Sequence, residues 1–355
     1  MDFYQTRSLI QAVRTLAPAK SFLRDRYFPT NSESDIFSTS TVLAEYRDGD
    51  KRMAPVVMMG HSGVGVTRPK AYMREIEPCN LAPKRPLSLD EVTKRGFGEA
   101  LGGERTPEER EAIMAAEDLA DLDAMITRRE EYIAASVMLD NSCKMEAWGD
   151  EAGEAEPYDL CYYEGTANPA AYAVGNKWDS AGAAIFADLA AASSMLTSRG
   201  LRATDFVCNP DVAEAIADNE AVMKRLDNRS ANFGNLAPVL QDGGAALFGV
   251  LNVGGLMLNI ITYNQTYQDD DGAIKPYIPS GCGVVTAPGA GHTAYGSVSQ
   301  VESADGMLHT YAQRRVPKFV PDVAGNSRDL TMTARPVCVP YNANAFISMK
   351  CLLTA

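Results

Sequence analysis

The stretch TPEEREAIMAAEDLADLDAMITRREEYIAASVML, residues 106–139, decides the fold class of this 355-residue chain. Thr106 is a capping residue, Pro107 occupies the first helical position, and Glu109 completes a capping box. Apolar residues then recur at helical intervals, and neither glycine nor proline interrupts them. The predicted helix is about 50 Å long at 1.5 Å per residue, far above the usual length in globular proteins. We therefore expect an elongated structure built around it.

An extended arm is predicted ahead of this helix, over residues 37–78. Asp48-Gly49 separates the runs VLAEY and APVVMM and predicts a hairpin between them. The arm has few large apolar residues in about forty positions and therefore little core of its own. We expect contacts with a neighbouring structure to stabilise it. Before the arm, Thr6 to Leu16 is a candidate amphipathic helix, and the aromatic and basic run SFLRDRYFPT follows it.

An α/β pattern follows the long helix. The sequence predicts strands in 143–165, a helix in 180–198, a buried strand in 204–208, a helix from Asn209-Pro210 towards residue 226, and strands in 249–301. Alternating residues near the C-terminus predict strands that close a sheet opened much earlier in the chain. The fold class is therefore α+β.

A catalytic alternative arises from MGHSGVG, residues 59–65, because a serine among glycines can be a hydrolase nucleophile. A nucleophile elbow needs glycine two residues before and two after the serine, and here Val64 occupies the second position. The residues after it predict a strand rather than the required helix. The second glycine run, TAPGAGHTAYG, lacks the lysine of a phosphate loop and the helix of a dinucleotide site. A serine hydrolase using Ser62 remains as a different class of function.

The negative charge of the chain is concentrated in one segment. The net charge of the chain is −13. Residues 101–170 hold 18 acidic and 5 basic side chains, a net charge of −13 by themselves, so the acidic and basic residues of the rest of the chain cancel. This argues against tight binding of DNA phosphates, and such a bias usually marks a solvated face. Four acidic residues of the long helix are the candidates for a charged surface: Glu117, Asp118, Asp121 and Asp123.

The cysteine, histidine and hydropathy patterns predict neither a metal site nor a membrane-spanning segment. The seven cysteines form no CxxC pair, which fits reduced thiols in a cytosol. None of the three histidines has zinc-ligand spacing with another, so no metal site and no cofactor are expected. The N-terminal residues lack signal-peptide organisation, and no stretch of twenty residues is consistently apolar, so membrane insertion is not expected.

The order of these parts resembles one known protein family. The relevant stretches are FLRDRYFP, Phe37 with RMAPVV, ITRREEYIAASVML, PDVAEAIADNEAVMKRLDNR, YIPSGCGVVTAPGAGHTAYGSV and PVCVPYNANAFISMKCL. In order and spacing they resemble the major capsid proteins of tailed bacteriophages, specifically the family of the lambda major head protein. The resemblance runs over nearly the whole chain.

The resemblance implies the tailed-phage major capsid fold of the Hong Kong phage type. Its parts would be an N-terminal arm (1–36), an extended loop (37–78), a peripheral domain (79–179) with a spine helix (106–139), an axial domain (180–300) and a return to the peripheral domain (301–355). MGHSGVG would be the far end of the extended loop, and Ser62 would have no chemistry. Five loop residues are candidates for contact with another subunit: Arg52, Pro55, Val57, His61 and Arg68.

The implied function is that of a virion shell protein rather than an enzyme. Hexamers and pentamers of the chain would assemble in the host cytoplasm into an icosahedral shell around double-stranded DNA, with a portal protein and possible decoration protein as partners. Too few residues precede Phe22 for a fused scaffold, so a separate scaffolding protein is expected. No covalent cross-link is predicted, although Lys51 and Lys70 are present in the loop. The four acidic candidates would face the interior. An encapsulin-type compartment, which encloses an enzyme cargo in the same fold, stays an alternative.

Overall fold

The structure is a computed structural model. It describes residues 9–10, 13, 21–31, 34–47, 53–59, 62–63, 65–66, 71–88, 106–148, 155–163, 165–180, 182–226, 234–235, 239–302, 306–322, 327–342 and 344–353. The helices of this part are α1 (Leu23–Tyr27), α2 (Pro107–Asp140), α3 (Ile185–Ser198), α4 (Pro210–Asp218) and α5 (Glu220–Leu226). Its strands are β1 (Val42–Arg47), β2 (Ala71–Ile76), β3 (Lys84–Ser88), β4 (Ser142–Trp148), β5 (Ala155–Cys161), β6 (Ala171–Tyr172), β7 (Asp205–Cys208), β8 (Gly234–Asn235), β9 (Val239–Leu240), β10 (Ala245–Val253), β11 (Leu256–Tyr263), β12 (Thr266–Gln268), β13 (Ile274–Pro276), β14 (Cys282–Thr286), β15 (Gly291–Tyr295), β16 (Val298–Val301), β17 (Leu308–Tyr311), β18 (Val316–Asp322), β19 (Ser327–Thr333), β20 (Pro336–Pro340) and β21 (Ile347–Lys350).

The long helix α2 begins and ends where its sequence signals indicate. The Glu109 amide donates to Thr106 Oγ1 at 3.2 Å, and the Thr106 amide donates to Glu109 Oε2 at 3.0 Å, so the capping box is formed. At the other end Asn141 adopts the left-handed conformation with φ 53°. Left-handed residues of this kind commonly terminate helices, and asparagine tolerates the conformation better than most residues. The 34-residue helix predicted from the sequence is confirmed.

Helix α2 packs against two different cores along its length. Its first three turns are mostly exposed. Leu119, Leu122 and Ile126 then pack on the three-stranded sheet β18-β19-β3 through Phe319, Leu330 and Met332. Ile133, Val137 and Met138 belong to a second, larger core that also contains residues of the eight-stranded sheet. The helix therefore joins the small sheet to the large one.

The eight-stranded sheet has the order β6-β21-β14-β7-β11-β10-β8, with β9 also paired to β10. Its short central strand β7 is fully buried and runs parallel to β11 and antiparallel to β14. Because side chains alternate along a strand, Phe206 and Cys208 face helices α3 and α4, whereas Val207 faces the core shared with α2. The C-terminal strands return to elements formed earlier, as predicted: β19 pairs with β3, β20 with β15, and β21 with β14 and β6.

Three local predictions are wrong in detail. Strand β1 pairs with β2, Arg47 lying opposite Ala71, and 53–58 is not a strand, so the predicted pairing of VLAEY with APVVMM does not form; Asp48-Gly49 itself lies outside the described residues. The helix predicted from residue 180 begins at Ile185. The helix predicted from Asn209 towards residue 226 divides into α4 and α5 at Asn219, which has an extended backbone and whose side-chain oxygen accepts the Ala221 amide. Competing side-chain to backbone bonds of this kind are how asparagine interrupts helices.

Candidate assembly interface

The stem of the extended arm is fixed to the body of the protein. Val42, Ala44 and Ile76, on the inner face of the β1–β2 hairpin, are buried in the core. The residues just before β1 bond to β15 and its C-terminal flank, since the Phe37 amide donates to the Tyr295 carbonyl at 2.9 Å and the Ser297 amide donates to the Thr39 carbonyl at 2.9 Å. The direction in which the arm leaves the body is therefore set by backbone hydrogen bonds.

The described residues of the arm beyond the stem are largely apolar and exposed. Met53, Val56 and Met59 are 91%, 99% and 104% exposed, and Met58 is 78% exposed. Residues 53–58 belong to no strand or helix. Monomeric proteins rarely expose a contiguous apolar surface of this kind, and such surfaces mark sites of contact with another molecule. Methionine, being unbranched and polarisable, adapts to an irregular partner surface.

Two of the five predicted contact residues lie in this exposed run. Pro55 is exposed and Val57 is 41% exposed. Arg52, His61 and Arg68 lie outside the described residues.

Ser62 is exposed and lacks the surroundings of a hydrolase nucleophile. No strand precedes it over 53–59, and 65–66 do not form a helix, so the strand, turn and helix that present a nucleophile are missing from the described neighbours. Across the described ranges, no group of three or more His, Cys, Asp and Glu side chains could hold a metal ion. Nor does any helix in those ranges have the length and apolar character to cross a membrane. All seven cysteines are free thiols.

The four acidic candidates of α2 are not equally available as surface charge. Glu117 is exposed. Asp118 and Asp121 each accept a hydrogen bond from Arg85 Nη1 at 2.8 Å, and of the two only Asp121 is mainly exposed. Asp123, whose side chain is 15% exposed, accepts Arg315 Nε at 2.7 Å. Asp118 and Asp123 are therefore ion-pair partners within the fold.

A fully buried carboxylate of α2 holds the N-terminal helix α1. Glu131 Oε1 accepts the amides of Phe22 and Leu23 at 3.0 and 2.7 Å, and Oε2 accepts the Arg24 amide at 2.9 Å. Tyr263 Oη also donates to Oε1, at 2.7 Å. The cap position of α1 has no side-chain cap of its own, so Glu131 satisfies the free amides from 108 residues away. Burial raises the pKa of Glu131, and these hydrogen bonds oppose that shift.

The neighbouring Glu130 is also fully buried and lies between two arginines. Arg315 Nη1 and Nη2 donate to its two oxygens at 2.6 and 3.0 Å, Arg24 Nη1 donates to Oε2, and Tyr295 Oη donates to Oε1 at 3.0 Å. Burial alone would raise the pKa of Glu130, but the two guanidinium groups outweigh it and lower the pKa to about 2. The carboxylate is therefore ionised and saturated with donors.

In the sequence, Glu130 and Glu131 stand out only as members of the acidic segment. A signal for their burial was present, because Glu130 lies on the same helical stripe as Ile126, Ile133 and Val137. A charged residue on an apolar stripe must find a partner in the core. The identity of the partner was not accessible from local sequence.

Comparisons with known proteins agree with this architecture. A family model described as phage major capsid protein E matches residues 5–351. A prophage protein of E. coli CFT073 described as a capsid protein has a similar structure, with a TM-score of 0.67, 16% identity, and coverage of 97% of this chain and 98% of that one. A phage-related protein of Bordetella bronchiseptica RB50 is similar at a TM-score of 0.53 and 9% identity, covering 96% of this chain and 95% of that one. A comparison with curated proteins gives no match.

The structural similarities establish the fold. They extend over nearly the full length of both chains, so the tailed-phage major capsid fold expected from the sequence is confirmed. The family model covers far more than half of the residues. The chain therefore belongs to the phage major capsid protein E family.

Proposed function

We propose that the chain builds a phage head by placing its extended arm on a neighbouring copy of itself. Membership of a capsid family makes it a capsid shell protein of the virion and not an enzyme, so the serine hydrolase alternative is wrong. The observation that carries the proposal is the contrast within the arm. Its stem is bonded to the body, whereas Met53, Val56 and Met59 are almost fully exposed. A second subunit is the partner that a shell supplies at every position.

The remaining assembly features extend this proposal. Hexamers and pentamers of the chain form an icosahedral shell around double-stranded DNA during assembly in the host cytoplasm, with a portal at one vertex and a separate scaffolding protein. A decoration protein is a further possible partner. Arg52, Pro55, Val57, His61 and Arg68 contact the adjacent copy, and no covalent cross-link forms through Lys51 or Lys70.

The division into domains is also a proposal. Residues 1–36 form the N-terminal arm and 37–78 the extended loop, the peripheral domain comprises 79–179 and 301–355, and the axial domain comprises 180–300. The support is architectural. The three-stranded sheet combines β3 with the C-terminal strands β18 and β19, and helices α3 and α4 pack on the eight-stranded sheet. Strands β6 and β21 of the eight-stranded sheet come from the ranges given to the peripheral domain, so that sheet spans the proposed boundary.

We place the exposed acidic residues of α2 on the inner surface. Duplex DNA carries a negative charge about every 1.7 Å along its axis, so a basic wall would retain it and an acidic wall would leave it mobile. Glu117 and Asp121 are the members of the predicted set that present charge to solvent. Asp118 and Asp123 contribute less, because their side chains are only 14% and 15% exposed and pair with Arg85 and Arg315; Asp121 shares Arg85 with Asp118 but is 64% exposed.

The experiment is to shorten the arm without disturbing its stem. Because Arg47 and Ala71 are paired, replacing residues 48–70 by Asn-Gly closes the β1–β2 hairpin with a two-residue turn in the existing register. A second variant replaces Met53, Val56, Met58 and Met59 by alanine and keeps the arm length. The shortened chain should fold and form no shells, and the alanine variant should assemble poorly. Normal shells from the shortened chain would refute the assignment.

Purified particles that hold protein rather than DNA would favour the encapsulin-type alternative.

A further inference from the structure

The helix α1 lies where α2 meets the eight-stranded sheet, and its two arginines pair with carboxylates of different elements. Arg24 pairs with Glu130 of α2. Arg26 Nε donates to Oδ2 of Asp205 in β7 at 2.7 Å, and Tyr27 Oη donates to the same oxygen at 3.0 Å. Both carboxylates are fully buried. One short helix therefore bonds ionically to both large parts of the protein.

Other contacts of residues 21–28 follow the same division. On the side of α2, Glu131 accepts the first amides of the helix. On the side of the sheets, the Gly289 amide donates to the Arg26 carbonyl at 2.9 Å, Thr293 Oγ1 donates to the Phe28 carbonyl at 2.8 Å, and the Phe28 ring stacks on Phe346 with centroids 5.0 Å apart.

A helix of five residues cannot hold itself together. Helices shorter than about twelve residues are marginal in water, because fixing the first turn costs more than its few hydrogen bonds return. The conformation of α1 therefore depends on bonds made from outside. If the bonds to the sheet are lost, the backbone amides that Glu131 accepts lose the geometry that aims them at the carboxylate.

We infer that residues 21–28 form a clasp, which joins α2 to the eight-stranded sheet and opens as one unit. The bonds of Asp205 and the bonds of Glu131 then depend on each other, although the two carboxylates belong to different elements. A change in the angle between α2 and the sheet requires the clasp to open. The clasp is thereby one link, beside the direct packing of α2 on the core, that opposes such a change, and this does not depend on which surfaces meet in the shell.

Hydrogen exchange tests the coupling. In the full-length chain, Asp205→Asn removes the charge that holds Arg26, and exchange is followed at the amides of Phe22, Leu23 and Arg24, all of which donate to Glu131. We expect these amides to exchange at least tenfold faster. The control is Asp118→Asn, which weakens another ion pair of α2 and should leave the three rates unchanged.

A reciprocal variant and a milder one complete the test. Glu131→Gln should speed exchange of the Gly289 amide, which donates to α1 from the opposite side. Arg26→Gln removes the same link as Asp205→Asn at a side chain that is 31% exposed, so it serves if the aspartate variant does not fold. Faster exchange confined to β7 and β11, with residues 22–24 unchanged in either variant, would overturn the clasp.

Discussion

The substitution Glu131→Gln tests whether the buried carboxylate stabilises the fold in the way its geometry indicates. An amide oxygen in place of Oε1 can still accept from Phe22, Leu23 and Tyr263. The amide nitrogen in place of Oε2 would face the Arg24 amide, and two donors cannot bond. One buried donor therefore loses its partner.

The size of the effect follows from these bonds. An unsatisfied buried donor costs about 1–3 kcal/mol, and the three remaining bonds lose their charge assistance. Burying a neutral amide instead of a carboxylate offsets part of this, because desolvation opposes the ionised form and raises the pKa of Glu131. We expect a net loss of about 2 kcal/mol in the free energy of unfolding for Glu131→Gln. For Glu131→Ala we expect a loss of about 4 kcal/mol, because four donors are left without an acceptor.

Urea unfolding of unassembled protein, followed by tryptophan fluorescence, measures both losses. Glu117→Gln is the control, because Glu117 is exposed on the same helix and surface substitutions usually change stability by less than about 0.5 kcal/mol. Equal stability of Glu131→Gln, Glu131→Ala and the control would refute the reasoning, since it would mean that α1 does not depend on Glu131.

Three further predictions concern assembly, charge and pH. The chain in which Asn-Gly replaces residues 48–70 should keep its unfolding midpoint within a few degrees and yield no shells in electron micrographs; shells of normal size would contradict the role of the arm. Particles with Glu117→Gln and Asp121→Asn should stay soluble but retain more DNA at low salt when emptied, whereas aggregation with unchanged retention would assign these residues to the outer surface. Glu130→Gln should lose about 3–5 kcal/mol at neutral pH because two buried arginines lose the charged carboxylate that they share. Its deficit relative to the parent chain should shrink as pH falls from 4.5 towards 2, because the folded-state pKa of Glu130 is about 2 and its ordinary value is 4.5, so its stabilising charge is lost over that window; a deficit independent of pH in acid titrations would exclude an ionised Glu130.

The elements with strong local signals were predictable from the sequence. Helix α2 has a capping box, a periodic apolar stripe and no interrupting residue, and each of these acts within a few positions. The β12–β13 hairpin around residues 269–272 also forms at a turn of aspartates and glycine.

Pairing between distant strands was not predictable in the same way. Strand β1 could have paired with the apolar run 53–58 through Asp48-Gly49, but its partner is β2. The competing run has strand-like composition, and it pairs with no strand among the residues that the structure describes. Its apolar residues are exposed in the single chain, which is consistent with a partner surface on a second copy.

The burial of Glu130 and Glu131 was not predictable from charge alone. In the sequence both residues lie in the same acidic segment as Glu117. In the structure Glu130 and Glu131 are buried and Glu117 is exposed. The donors that stabilise the two buried carboxylates come from residues 22–24 and from the C-terminal third of the chain. Long-range donors of this kind decide whether an acid is a surface charge or a structural one.

Electron cryomicroscopy of the assembled particle tests the central claim most directly. The quantity to measure is the exposed fraction of Met53, Val56 and Met59 in the shell, compared with 91%, 99% and 104% in the single chain. We predict closed icosahedral shells in which these side chains are buried against an adjacent copy. A shell in which they stay exposed to solvent, or a chain that remains monomeric with its scaffolding partner present, would contradict the account.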